Sequence, residues 1–79
     1  MPLVARDGKY TIRVHVRNEH PPPHVHVYYD GKVSRVSLFY LRVMDEVSKQ
    51  DQKALMAVVT QYRIQAFKVW AEVNERRNR

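Results

Sequence analysis

Three histidines lie close together in the sequence and could bind a metal ion. His20, His24 and His26 follow the pattern H-x-x-x-H-x-H. Neutral imidazoles are good ligands for zinc, iron, nickel and copper, and three of them leave one coordination position open to water, as in catalytic zinc centres. A divalent transition metal held by these residues is therefore one hypothesis for the chain.

The same region could instead move protons beside a bound phosphate. Cleavage of RNA without a metal requires a base, an acid and cations that balance the developing negative charge. The candidates for the acid and the base are His24, His26 and Glu19. The candidates for contacts with phosphate oxygens are three arginines: Arg13, Arg17 and Arg35. A third interpretation is that the histidines are hydrogen-bonded structural residues.

Alternating apolar and polar residues predict the strands that carry these side chains. From residue 10 to residue 17 the alternation indicates a half-buried strand with Arg13 and Arg17 on its polar side. The alternation resumes from residue 24 to residue 29. Residues 18–23 include three consecutive prolines, which cannot continue a strand ladder, and they are therefore predicted to form a stiff loop.

The dipeptide Asp30-Gly31 predicts a two-residue hairpin turn, because both turn positions require positive φ. Such a turn places Tyr29 opposite Lys32 and His26 opposite Arg35. The third strand then extends from about residue 32 to residue 39. In this register Tyr28 shares the polar face with the histidines, where its ring could stack on a nucleic-acid base.

Residues 48–76 have the features of a helical region. Ser48 followed by Asp51 resembles a capping box with Asp in place of Glu, and apolar residues then recur at intervals of three and four. No Gly or Pro interrupts residues 49–76, so one continuous helix would be about 42 Å long. We therefore expect either a break near residues 60–63 or a far end that docks elsewhere, for example on a second copy of the chain in a homodimer.

The predicted elements combine into a single α+β domain over residues 1–79. Its three-stranded antiparallel sheet occupies residues 9–39, and the long or broken C-terminal helix of residues 48–76 packs on one face of that sheet. Residues 77–79 are predicted to be a basic tail. The segment from residue 41 to residue 47 suits a helical turn and an extended connection equally well, and it receives no assignment.

The composition points to an acidic binding partner inside the cell. Fourteen Lys and Arg against eight Asp and Glu give a formal charge of +6, which attracts nucleic acid, anionic lipid or an acidic protein without selecting among them. The absence of cysteine excludes disulfides and thiolate metal ligands and fits a reducing compartment. No apolar run is long enough to span a membrane, and residues 1–10 do not resemble a signal peptide. We therefore expect a cytoplasmic protein without a membrane partner.

The block N-E-H-P-P-P-H-V-H-V-Y-Y at residues 18–29 resembles the bacterial DUF4160 family, whose members share an N-E-H-x-P-P-H-x-H signature. The opening Met1-Pro2, the Gly31 turn and the helix ending around Trp70 extend the resemblance over nearly the whole chain. It implies a small bacterial protein with a cognate protein encoded nearby, in a pair of toxin–antitoxin type. It also marks a candidate functional segment that consists of Asn18, Glu19, His20, Pro22, His24 and His26, without assigning an activity to it.

These residues support three hypotheses for the function. The first is a component of a toxin–antitoxin-type module that binds RNA or DNA, or acts on RNA as an enzyme. The second is a non-enzymatic interaction module that binds an acidic partner, and the third is a metal-binding protein whose site is the histidine cluster. Kinases, NTPases and α/β-hydrolases are set aside, because the sequence has neither a glycine-rich phosphate loop nor a nucleophile elbow.

Overall fold

A computed structural model describes residues 3–14 and 23–77 of the chain. Within these residues the chain forms an antiparallel sheet of five strands in sequence order, followed by two helices. The strands are β1 (Leu3–Asp7), β2 (Tyr10–Arg13), β3 (His24–Tyr29), β4 (Lys32–Ser37) and β5 (Arg42–Val43). The helices are α1 (Lys49–Gln61) and α2 (Arg63–Arg77). The α+β class is confirmed.

The hairpin of β3 and β4 forms in the predicted register. Asp30 and Gly31 have φ values of 48° and 72°, as the two-residue turn requires. The pairing runs from Tyr29 opposite Lys32, at the turn, to His24 opposite Ser37, at the far end of the hairpin. The histidines of β3 therefore lie on the face that the sequence predicts.

The prediction of three strands is wrong, because β1 and β5 extend the sheet at its two edges. In β1 the register shifts between Leu3 and Ala5, and this irregularity hides the alternation that would reveal a strand. The other new strand, β5, has only two residues and follows Leu41, whose φ is 49°. The strand predicted over residues 10–17 is β2 as far as Arg13, and residues 15–22 lie outside the described residues.

The two helices pack on the apolar face of the sheet. The core joins buried side chains of the strands, and of Val14 and Leu38 directly after β2 and β4, to Leu55 and Val59 of α1 and to Ala66 and Val73 of α2. Ser48 is the N-cap of α1, and its hydroxyl accepts a hydrogen bond from the backbone N–H of Asp51 at 3.1 Å. The predicted start of the helical region is thus confirmed.

A break at Tyr62 keeps both helices on this face. Tyr62 has φ −109° and ψ 17°, so it leaves the helical conformation inside the range predicted for a break. Its hydroxyl donates to Asp7 of β1 at 2.9 Å, and Gln65 Nε2 donates to the carbonyl oxygen of Val4 at 2.6 Å. Arg63, the first residue of α2, donates from Nε to the carbonyl oxygen of Leu38, which follows β4, at 2.9 Å. These contacts direct α2 back over β1 and leave the opposite face of the sheet to its polar side chains.

Candidate functional site

Arginines and histidines share the face of the sheet opposite the helices. Strand alternation places the members from β2, β3 and β4 there, since their neighbours along each strand are buried. The members from β1 and β5 are placed there by register, because Arg6 lies opposite Thr11, in the row of Tyr28, and Arg42 lies opposite Ser37, in the row of His24. We call this surface the arginine face, and it consists of Arg6, Arg13, His24, His26, Tyr28, Arg35 and Arg42. Arg6, Arg35 and Arg42 are exposed, whereas Arg13, the two histidines and Tyr28 are half-buried.

One cross-strand row places His26 between two arginines. Arg13 of β2 is directly opposite His26 of β3, and His26 is directly opposite Arg35 of β4. Side chains directly opposite each other in antiparallel strands have Cβ atoms about 4.5–5.5 Å apart. The structure therefore brings together three of the residues that the sequence predicts for phosphate contacts and proton transfer.

A second row lies beside the first and contains the other described histidine. His24 is opposite Ser37, which is in turn opposite Arg42 of β5. The ring centroids of His24 and His26 are 5.3 Å apart with an interplanar angle of 51°. Two imidazoles at this separation can contact the same ligand, and cations from neighbouring strands lie on both sides of them.

Asp45 is a residue of this site that the sequence interpretation missed. Its carboxylate accepts hydrogen bonds from the Arg35 guanidinium, with Nη2 2.9 Å from Oδ1, and from the Arg35 backbone N–H at 2.7 Å. The residue follows β5 in a segment with no clear periodicity, so no sequence signal placed it near Arg35. The carboxylate extends the pairing of β4 with the chain after β5, where the N–H of Met44 also donates to the Arg35 carbonyl oxygen at 2.8 Å.

The Arg35–Asp45 pair changes the electrostatics of the arginine face. Hydrogen bonds from the Arg35 guanidinium lower the pKa of Asp45, helped by the Arg35 backbone N–H and by the charges of Arg35 and His26, and opposed by desolvation. The same hydrogen bonds raise the pKa of Arg35. One carboxylate thus offsets part of the positive charge near His26, and Arg35 keeps about half of its side-chain surface exposed.

The predicted metal site is only partly within the described residues. His24 and His26 lie side by side, but His20 is outside these residues, as are Glu19 and Arg17. Among residues 3–14 and 23–77, no three histidine, cysteine, aspartate or glutamate side chains lie near enough to one another to share a metal ion. The three-histidine centre stays a prediction.

Comparison with known proteins identifies a family. The sequence profile described as Domain of unknown function (DUF4160) matches residues 10–71 of this 79-residue chain, a range that includes β2 to β5 and most of the helical region. Neither the curated proteins nor the solved structures contain a significant match. Of the helices that the structure describes, none has both the length and the hydropathy of a membrane span.

The Asp45 carboxylate predicts a pH-dependent contribution to stability. Because its pKa is lower in the folded chain, the pair stabilises the fold above the unfolded pKa of about 3.9, and the stabilisation is lost as the pH falls through the folded pKa. For so exposed a pair we expect Asp45→Asn to lower the free energy of unfolding at pH 7 by about 0.2–1 kcal/mol. Urea unfolding between pH 7 and pH 2 measures this difference.

The matched control is Glu46→Gln, which makes the same charge change at the next residue, an exposed one. The stability difference between wild type and Asp45→Asn should shrink towards acidic pH, whereas Glu46→Gln should show a smaller difference throughout. Equal pH profiles for the two variants would contradict the role assigned to the Arg35–Asp45 pair.

Proposed function

The chain belongs to the DUF4160 family, and we propose that it is a small cytoplasmic protein of toxin–antitoxin type that binds nucleic acid through the arginine face. The observation that carries the proposal is the row Arg13–His26–Arg35, with the exposed Arg6 and Arg42 on the same face. The formal charge of +6 supplies the long-range attraction to a polyanion. The row supplies donors for phosphate oxygens at defined positions.

The spacing of the cations suits several phosphates rather than one. Arg13 and Arg35 lie two strands apart, which corresponds to about 10 Å. Arg42 lies one further strand away, in the neighbouring row. Separate guanidinium groups at such intervals contact different phosphates of an extended backbone, and each contact releases a condensed counterion. An elongated polyanion therefore fits the arginine face better than a small phosphorylated molecule.

The arginines provide the first test of nucleic-acid binding. We expect Arg13→Gln and Arg42→Gln together to weaken binding of a labelled single-stranded oligonucleotide at least tenfold. The slope of log affinity against log salt concentration should fall by about 0.7 for each phosphate that the variant no longer neutralises. Fluorescence anisotropy at several salt concentrations measures both quantities.

The matched control removes two lysines from the exposed surface of α1. Lys49→Gln and Lys53→Gln together change the net charge by the same amount, but both residues lie on the helical side of the sheet. This variant should keep much more of its affinity than the arginine variant. Equal weakening in the two variants would mean that net charge, and not the arginine face, determines binding.

The neighbouring imidazoles support a catalytic step on bound RNA. In that step one histidine accepts the proton of the 2′-hydroxyl as the 2′-oxygen forms a bond to phosphorus, and the bond from phosphorus to the 5′-oxygen breaks. The other histidine donates a proton to the departing 5′-oxygen, while the arginines stabilise the charge on the phosphoryl oxygens. His24 and His26 are the described candidates for the two roles, and Glu19 is the candidate outside the described residues.

Substitution of each histidine tests this step separately from binding. We expect His24→Ala and His26→Ala each to reduce cleavage of a short RNA at least a hundredfold, since general acid–base catalysis contributes typically 10²–10⁴-fold. Oligonucleotide affinity should change by less than about threefold, because the arginines remain in place. A gel-based cleavage assay, run beside the anisotropy measurement, gives both values. Wild-type cleavage by both variants would exclude the catalytic role and leave a binding protein.

A second candidate function, binding of an acidic protein partner, is favoured by an apolar surface at the end of β4. This apolar surface consists of Phe39, Ile64 and Phe67. Phe39 and Ile64 are 59% and 76% exposed, and the rings of Phe39 and Phe67 are 5.6 Å apart. The Arg63 guanidinium lies 5.7 Å from the centre of the Phe67 ring. Exposed apolar groups next to cations fit a partner that combines apolar anchors with carboxylates.

Coexpression with the protein encoded beside this chain tests the second candidate. We expect Phe39→Ser and Ile64→Ser together to abolish copurification of the two proteins, because both apolar anchors are removed. His24→Ala and His26→Ala serve as the matched control and should leave the complex intact. Sedimentation of the chain alone checks self-association. The second candidate would be contradicted if the histidine variants no longer formed the complex. A stable homodimer formed through the apolar surface would also contradict it.

A further inference from the structure

A pocket opens at the edge of the arginine face, between the end of β4 and β5. Its volume is about 330 Å³, and it is lined by Ser37, Tyr40, Arg42, Val43 and Met44. This size lies at the lower end of the range of small-ligand sites. Ser37 and Arg42 belong to the row that contains His24, so the pocket is continuous with the arginine face.

Tyr40 is held outward by the turn that precedes β5. Its backbone N–H donates to the Ser37 hydroxyl at 3.3 Å, and the next residue, Leu41, has a φ of 49°. This left-handed conformation is unfavourable for a residue with a Cβ, so the turn is specified by its surroundings rather than by its own preference. Tyr40 is 75% exposed as a result. Folding therefore presents an aromatic ring to solvent beside the pocket.

The chemistry of the pocket suits a flat aromatic ring joined to an anionic group. The Tyr40 ring offers a stacking surface, and the Met44 thioether and the Val43 side chain provide further apolar contacts. Ser37 supplies a hydroxyl, and the exposed Arg42 guanidinium can bind a phosphate oxygen. Nucleotides combine these two features, whereas an acidic peptide offers carboxylates without a comparable flat ring next to each one.

We infer that this pocket binds an unpaired base of a single-stranded nucleic acid whose backbone lies along the arginine face. The inference rests on the proposed function and adds the class of nucleic acid. A base inside a duplex is stacked on both faces and paired at its edge, so it cannot reach the Tyr40 ring without being extruded. Arg42 then contacts the phosphate next to the bound base, and the adjacent backbone extends towards Ser37 and His24.

The test compares Tyr40→Ala and Tyr40→Phe with the wild-type protein. The probes are a labelled single-stranded RNA, an abasic strand of the same length and a duplex of the same sequence, each measured by fluorescence anisotropy. Tyr40→Ala should weaken binding of the single strand about fivefold or more, as removal of one stacked base does. Tyr40→Phe should bind all three probes like the wild-type protein, because the stacking ring remains.

The abasic strand should bind Tyr40→Ala as tightly as it binds the wild-type protein, and the same is expected of the duplex. The base pocket would be overturned if Tyr40→Ala bound the single strand with wild-type affinity. It would also be overturned if Tyr40→Ala weakened binding of the abasic strand as much as binding of the intact single strand. If the arginine variants still weaken binding in that case, the proposed function stands without the pocket. If none of the probes binds the wild-type protein, both proposals fail.

Discussion

The division of one small sheet into a buried apolar face and a polar face is the constraint on which the rest of the structure depends. Its central strand β3 alternates strictly, so His26 points away from the core because its neighbours Val25 and Val27 are fully buried in it. Both described helices pack against the buried side chains of the apolar face. The break at Tyr62 makes this packing compact, because it folds the helical region back over the sheet. The opposite face is therefore the place where polar side chains collect.

The functional proposal follows from this division of the sheet. The backbone ladder fixes the spacing of the Cα atoms from which the arginine side chains extend. Asp45 adds a carboxylate that orients Arg35 and fastens the chain after β5 to the edge of the sheet. The turn before β5, which that edge supports, presents the Tyr40 ring. The orientation of Arg35 and the position of Tyr40 in the proposed base pocket thus both depend on the short β4–β5 edge. The residue pattern is least periodic at this edge.

Local rules explain which parts of the structure could be predicted from the sequence. The Asp30-Gly31 turn and the Ser48 cap depend on a few adjacent residues, so the hairpin register, the pairing of His26 with Arg35 and the helix start could be derived. The irregular register of β1, the two-residue β5 and the Arg35–Asp45 pair depend on tertiary contacts, so alternation could not reveal them. The roles of Glu19, His20 and Arg17 stay predictions, because these residues are outside the described ranges.

The most direct measurement of binding through the arginine face is an NMR titration of the ¹⁵N-labelled protein with a short single-stranded oligonucleotide. Arginine side-chain Nε–H signals and backbone amides report contact residue by residue. We expect the signals of Arg13, Arg35 and Arg42 to shift together with the amides around His26, while the amides of α1 stay in place. Shifts concentrated on α1 and α2, with the arginine signals unchanged, would contradict binding through this face.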